Sequence, residues 1–356
     1  TDEKTVIDLL THRSSSQKQA ISRAYEECSK RILVNDLKSD TGGDFEDVLV
    51  RLANLPAVND AKDIIKATKG AGTDKKILIE ILGSRTNKQI KELSAAYADE
   101  TKKTLVQNLK HEVSGDFGKA IVTLAEAARD ESTSVNVNKA KEDAQALYNA
   151  GEKKMGTDEA KFIEILCKRS IPQLRQTLVE YKNISGKTLQ KSIEKEMTGE
   201  MEELLVAIVK CIMNTPAYFA EKLHESMKGA GTHESILTRI MVSRAEVDMM
   251  DIKAEYKKLY QRSLYKQISR AIVVSREIYI KYVYVQVTMG DGKTQENINE
   301  DINGEFTAPE MAHVWDDFES MLKSPYPPAD RGTIKPKANF NVNEDVAALR
   351  KAIQGF

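Results

Sequence analysis

Gly70-Ala71-Gly72-Thr73, with Arg85 twelve residues beyond the threonine, Tyr97 at plus 24 and Leu105 at plus 32, is one of four copies of a single pattern in this 356-residue chain. The other threonines are Thr1, Thr157 and Thr232. Each is followed at the same intervals by Arg13, Arg169 and Arg244, then Tyr25, Tyr181 and Tyr256, then Leu33, Leu189 and Leu264. At plus 39 three copies carry a carboxylate, Asp40, Glu112 and Glu196, and three residues later a glycine, Gly43, Gly115 and Gly199. The fourth copy has Ala271 and Val274 there. Successive copies lie 72, 84 and 75 residues apart. That is too long for a leucine-rich or ankyrin repeat, so each copy is a small helical domain.

Within a copy the apolar residues follow helical spacing. Leu78, Ile81 and Leu82 share one face, with Lys75, Lys76 and Glu80 turned away. The threonine stands where a helix N-cap is expected, and Asp2, Asp74 and Asp158 follow it in a first turn whose dipole favours negative charge. A second helix is expected after turns such as Ser84-Arg85-Thr86-Asn87, and Pro216 opens a helix running to Met227 with Asn214 or Thr215 as its cap. Four or five short helices per copy and almost no strand signal predict an all-α array.

Composition narrows the setting. Apolar residues make up 41% of the chain, ample for several small cores. Fifty-three basic residues against 54 acidic ones leave a net charge of −1, so no general basic character draws the chain to nucleic acid or anionic lipid. Cys28, Cys167 and Cys211 lack ligand-like spacing and read as free thiols in a reducing compartment. Asp2, Glu3 and Lys4 do not look like a signal peptide, and no run of about 18 apolar residues is present. A cytoplasmic location is expected. The histidines His12, His111, His224, His233 and His313 are scattered, and neither a nucleophile elbow nor a P-loop occurs, so no enzymatic activity is expected.

The chemistry lies in the loops before the threonines. Gly70-Ala71-Gly72-Thr73 and Gly229-Ala230-Gly231-Thr232 place two glycines in a tight turn, which lets backbone carbonyls converge. Three such carbonyls and a bidentate carboxylate supply five oxygens, short of the roughly six to eight that Ca2+ takes. The remaining positions suit lipid phosphoryl oxygens, which would bring a nearly neutral protein to anionic membrane through the metal.

These residues resemble the annexin family, and the resemblance is greatest to the annexin one and two subgroup. G-x-G-T followed by an acid is matched by Gly70, Gly72, Thr73 and Glu112, and Gly151-Glu152-Lys153-Lys154-Met155-Gly156-Thr157 with Glu196 is similar to the longer third loop of annexins. The resemblance covers about residues 1–270 and 333–356. It implies four repeats of about five helices in a curved disc and reversible, calcium-dependent binding of acidic phospholipid on the convex face. It divides the chain into repeat one (1–52, lacking its first helix), repeat two (53–126), linker and repeat three (127–213), repeat four (214–288), a leader-like linker (289–338) and a helix at 339–356.

The resemblance also implies ligands. Site two would use carbonyls of Thr68, Gly70 and Gly72 with Glu112; site three, carbonyls of Gly151, Lys154 and Gly156 with Glu196, and Met155 touching lipid. Site four would offer Met227, Gly229 and Gly231 without an acid, and site one Ile353, Gly355 and Asp40. A charged axis is matched by Asp60, Asp63, Glu80, Arg85 and Arg239, read first as a buried polar network. Covering of lipid would account for the family's inhibition of phospholipase A2.

Two departures stand out. The helix missing before Thr1 is found at Asn339-Phe340-Asn341-Val342 onward, with Asp345, Val346, Leu349, Arg350 and Ile353, ahead of Gly355-Phe356. Joining Phe356 to Thr1 restores family order but for one glycine, as a circular permutation or an out-of-order transcript would. In repeat four the acid is gone and 278–287 is β-branched and aromatic, readable as strand, helix or read-through. Within 289–338, Met311, Val314, Trp315, Phe318, Met321 and Leu322 share one helical face, which implies either docking on the chain itself or an S100-type EF-hand partner at residues 311–322. Residues 299–310 match an EF-hand loop in spacing but have Asn299 first and Pro309 at position 11, and read as an acidic linker. The alternative to a membrane-binding module is therefore a helical scaffold for protein partners.

Overall fold

The computed structural model describes residues 2–70, 72–152, 156–228, 232–271, 283, 287 and 331–354. Lys154, Met155, Gly229, Gly231, Gly355, the EF-hand-like stretch 299–310 and the proposed partner helix 311–322 lie outside the described residues. Two packed units are present: Thr1–Pro56 with Phe219–Glu310 and Pro328–Phe356, and Ala57–Tyr218 with Met311–Pro327.

The described residues form α-helices. The first copy contains α1 (Glu3–Thr11), α2 (Ser15–Ser29), α3 (Leu33–Asp40) and α4 (Gly43–Ala53), and the second α5 (Pro56–Ala67), α6 (Lys75–Ser84), α7 (Asn87–Thr101), α8 (Leu105–Glu112) and α9 (Gly115–Ala125). The third contains α10 (Val137–Ala150), α11 (Glu159–Leu166), α12 (Ile171–Ser185), α13 (Leu189–Glu196) and the start of α14 (Gly199–Ser226). The fourth continues from α14 into α15 (Glu234–Arg244), α16 (Met249–Tyr260) and α17 (Leu264–Ala271), and α18 (Val342–Gln354) follows.

The repeated residues explain why the copies match. Each plus-32 leucine opens an eight-residue helix that ends on the plus-39 residue: Leu33 to Asp40, Leu105 to Glu112, Leu189 to Glu196, Leu264 to Ala271. All four leucines are buried, as are the four plus-24 tyrosines. The next helix then starts at Gly43, Gly115 or Gly199 with φ of +63, +65 and +71°, which lets the chain reverse within two residues of the acid.

One expectation is corrected. The plus-zero threonines are not N-caps; the following aspartates are, with Asp2 accepting from the Thr5 amide, Asp74 from Lys76 and Ile77, and Asp158 from Lys161. A carboxylate one residue into the turn reaches those amides and adds its charge to the positive helix end. Asn214 is the cap expected before Pro216: its Oδ1 accepts from the Ala217 amide at 3.0 Å, and its own φ of −156° breaks α14. By length and mean hydropathy alone α14 could cross a membrane, although it holds no unbroken run of about 18 apolar residues. Most of its apolar window is buried in the fold, as in the core helix of a globular domain.

The plus-12 arginines organise each core. Arg85 grips Asp60 of α5 with Nε and Nη2 at 2.8 and 2.9 Å, and Arg169 grips Asp143 of α10 at 2.8 and 3.1 Å. In the first copy Arg13 reaches Asp345 of α18 at 2.5 and 2.7 Å. The fourth copy has Phe219 where the others have the aspartate; Arg244 stacks over that ring at 4.6 Å and pairs instead with Asp248 at 2.8 and 2.6 Å. Of the expected charged axis, Asp60, Asp63, Glu80 and Arg85 are buried in the second copy. Burial alone would lower the Arg85 pKa, but Asp60, then Glu80 and Asp63, hold it above its ordinary value. Arg239 is buried in the other unit.

α18 packs against α1, α2 and α3. Its Leu349 is fully buried and Val346, Ala352 and Ile353 nearly so, alongside buried Leu9 and Leu10 of α1. Residues 331–337 form a strap leading to it: the Arg331 amide donates to Val247 O at 2.9 Å, Ile334 to Ala245 O at 3.0 Å, and Gln17 exchanges two 2.9 Å bonds with the backbone of Lys337. Between 272 and 330 only Val283 and Val287 are described; both are helical and fully buried.

Replacing Arg85 by Ala leaves Asp60 buried and uncompensated, so a urea titration should show a loss of about 3–5 kcal/mol. Arg169→Ala should cost less, since that side chain is 25% exposed and water can take over part of its role. Equal losses would contradict this ordering.

Candidate functional site

Each loop is closed by one recurring backbone bond. The amide of the residue after the threonine donates to a carbonyl near the end of the preceding helix: Asp74 to Ala67 O at 2.8 Å, Asp158 to Ala150 O at 2.9 Å and His233 to Ser226 O at 2.8 Å. The first copy makes the same bond across the chain, Asp2 to Ala352 O at 2.8 Å. Ala352 stands in the register of Ala67, which puts Ile353 in the place of Thr68.

A second bond ties loop to acid. Thr73 Oγ1 donates to the carbonyl of Glu112 at 3.3 Å, Thr157 Oγ1 to that of Glu196 at 3.3 Å, and Thr232 Oγ1 to that of Ala271 at 3.4 Å. This is the constant threonine's role, which the sequence reading missed. The signal was its fixed interval of 39 residues from the acid. The same bond persists in the fourth copy, although Ala271 brings no carboxylate there.

In the second copy Thr68, Gly70 and Gly72 follow the end of α5, with Gly70 and Gly72 exposed at φ of +107 and +117°. A Cβ at either glycine would meet nothing within 4 Å, so φ and not crowding demands glycine there. Tyr97 supports the loop from beneath: burial pushes its hydroxyl pKa up, against opposing hydrogen bonds to Thr68 and Asn108. The Glu112 carboxylate is half-buried and makes no hydrogen bond or ion pair among the described residues.

The third copy differs in its supports. Gly151 is buried and Gly156 exposed at φ +86°. Glu152 anchors the longer loop to α13, its Oε1 accepting from Ser192 Oγ at 2.6 Å and its Oε2 from Lys187 Nζ at 3.1 Å. The Ser192 hydrogen bond, with Lys187 assisting against burial, holds Glu152 below the usual carboxylate range. The Glu196 carboxylate accepts from exposed Lys195 Nζ at 2.9 Å. In the first copy Asp40 is exposed at the end of α3 and Ile353 is buried; in the fourth, Met227 is buried.

The donors that the resemblance assigns to the second and third loops are backbone carbonyls and one carboxylate each, all oxygen. The described residues hold no cluster of three or more His, Cys, Asp or Glu side chains that could bind a metal through side chains alone. An all-oxygen, mostly neutral donor set fits a hard cation with open positions, Ca2+ rather than Zn2+.

The annexin family model matches residues 1–52, 59–124, 142–208 and 218–272. The chain belongs to the annexin family, proteins known for calcium-dependent phospholipid binding and generally without enzymatic activity. It is 53% identical to mouse annexin A3 over 268 residues, 75% of this chain and 83% of that protein. It is 41% identical to chicken annexin A6 over 359 aligned residues, 100% of this chain and 51% of that protein. A solved structure of calcium-bound annexin (Sm)1 superposes with a TM-score of 0.72 at 31% identity, covering 81% of this chain and 85% of that one. The expected affinity to annexins one and two is corrected by the match to annexin A3 and by one to human annexin A11, 46% identical over 269 residues, 76% of this chain and 53% of that protein. The glycine loop and distant acid that carried the resemblance are features of the family as a whole and could not separate its members.

Because Glu152 is held below its ordinary pKa in the folded state, its contribution to stability is present above the unfolded carboxylate range and lost as pH falls through the lowered value. Glu152→Gln should flatten the acid limb of a stability-versus-pH curve measured by urea unfolding. An unchanged acid limb would count against this anchoring role.

Proposed function

We propose that this protein binds acidic phospholipid reversibly through Ca2+ held at the second and third loops. Carbonyls of Thr68, Gly70 and Gly72 with the Glu112 carboxylate form one site. Carbonyls of Gly151, Lys154 and Gly156 with Glu196 form the other, and Met155 is the apolar residue offered to the lipid interface. The supporting observation is the threonine bond that holds each loop against its acid-bearing residue in the same register. These oxygens would hold Ca2+, which would supply the positive charge that attracts lipid phosphate. The protein residues shape the cradle, supply one negative charge per site and leave coordination positions open.

Site four, with Met227, Gly229 and Gly231, is weakest, since Ala271 brings no anionic oxygen. Site one, with Ile353, Gly355 and Asp40, is assembled across the chain and lacks the second glycine. In this reading α18 is the displaced first helix of the first repeat. The Arg13–Asp345 pair and the Asp2–Ala352 bond, each copying its counterpart in the second and third copies, support that reading.

Sedimentation with phosphatidylserine vesicles tests the sites. Glu112→Gln with Glu196→Gln should abolish binding at moderate calcium while leaving the helical circular dichroism unchanged. Undiminished binding would defeat the assignment. Lys195→Met should lower the calcium required at site three, because Lys195 competes for the carboxylate that the metal needs.

With a net charge of −1, the protein should be released from vesicles by chelator at high and low salt alike. Screening reaches roughly 30 Å at 0.01 M salt, where any basic patch acts most strongly. Retention in excess chelator at low salt, reversed by high salt, would indicate lysine-driven binding instead.

A further inference from the structure

The third copy differs from the others in its arginine. The side chains of Arg13, Arg85 and Arg244 are 7%, 3% and 3% exposed, whereas that of Arg169 is 25% exposed. Its Nε and Nη2 are held by the buried Asp143 at 2.8 and 3.1 Å. Its Nη1 makes no hydrogen bond among the described residues. A guanidinium fixed along one edge by a buried carboxylate and open at its remaining nitrogen is a pre-organised donor, because the fold has already oriented it.

Arg169 lines a cavity of about 580 Å3. The opposite wall is the segment between α9 and α10, which exists because the third threonine lies 84 residues after the second, against spacings of 72 and 75 elsewhere. That segment is pinned at both ends. At the near end the Asp130 amide donates to Lys168 O at 2.9 Å, Arg129 Nη1 donates to Arg169 O at 2.8 Å, and the Asn87 side chain exchanges two bonds with the backbone of Arg129. At the far end the Gln173 side chain exchanges bonds of 2.8 and 2.9 Å with the backbone of Asn136. Residues 131–135 cross the gap exposed, so the anchors rather than local packing keep the cavity in shape.

The wall carries complementary chemistry. Lys139 Nζ spends its bonds on Glu142 and Asp143 at 3.2 and 3.4 Å, and a third N–H remains. Asp130 accepts from the Ser132 amide and hydroxyl at 2.9 Å each, and these bonds hold its carboxyl below the usual range. It stays ionised and keeps lone pairs for further donors. The volume lies within the roughly 300–1,000 Å3 of small-molecule sites and exceeds what a bare anion fills.

We propose that this cavity binds a small hydroxylated phosphate monoester, its phosphate on Arg169 Nη1 and Lys139 Nζ and its hydroxyls on the Asp130 carboxylate. A phosphate has oxygens for both cations at once, whereas hydroxyl donors satisfy the acid without bringing a second negative charge beside it. None of these residues belongs to the glycine loops, and the binding requires no metal.

Isothermal titration of ribose 5-phosphate into the 356-residue chain, in excess chelator so that no calcium site contributes, should show one-to-one binding. Ribose should not bind, and inorganic phosphate should bind about tenfold more weakly, having no hydroxyls for Asp130. Lys139→Met should weaken ribose 5-phosphate about tenfold through loss of one charge-assisted bond. Ser134→Trp replaces an exposed residue of the wall without changing charge, and should abolish binding by filling the cavity while helical circular dichroism is retained. Neither change removes Asp143 or Arg169. No binding by the unaltered chain, ribose bound as well as its phosphate, or undiminished binding by either variant overturns the proposal. If Lys139→Met loses its helical signal, Ser134→Trp decides alone, since a merely electrostatic surface attraction would survive it.

Discussion

The arginine at plus 12, buried in the first, second and fourth copies and partly exposed in the third, is the constraint around which each copy is built. A guanidinium sealed from water is strongly unfavourable unless an anion meets it with good geometry, so every copy must deliver one to the same place. The second and third copies deliver it from their own first helix, as Asp60 and Asp143. The first takes it from α18, as Asp345. In the fourth, Phe219 occupies that helical position, its ring lies under Arg244, and Asp248 supplies the charge from the opposite direction. One electrostatic demand thus has three structural solutions. The pair adds little net stability by itself, and its consequence is register, because misplacing the first helix strands a charge.

Around that frame the loops separate scaffold from ligand. The threonine hydroxyl and the loop-closing amide depend only on backbone carbonyls, so they survive when the acid is lost, as Thr232 and Ala271 show. The carboxylate is a replaceable addition at the last position of an eight-residue helix. A fold of this kind can vary the number of effective calcium sites by single substitutions without altering its core. On the proposed reading, a net charge of −1 leaves membrane attachment to the metal rather than to permanent charge.

Much of this architecture could be read in the chain. The fourfold threonine, arginine, tyrosine and leucine register announced helical copies because each residue has a recurring structural duty: the described threonines bond the plus-39 carbonyl, the arginines hold an anion, the tyrosines fill a core and the leucines open a helix. Local chemistry misled where two neighbours could do similar work. Thr73 was read as the helix cap, yet Asp74 reaches the free amides and leaves the threonine for a bond 39 residues away. Glu152 went unremarked because its partners, Ser192 and Lys187, are distant in sequence.

The sequence by itself determined the helices, their repeat and the oxygen-rich loops, since these follow from residue types at short, fixed spacings. Only the tertiary structure decided the contacts by which α18 is held. That α18 sits on α1, with Asp345 on Arg13 and Ala352 on the Asp2 amide, depends on contacts more than 300 residues apart. No local propensity encodes such a pairing. It is favoured because a seat lined by Arg13 and apolar side chains is costly to leave open, and α18 carries both the charge and the apolar surface to fill it.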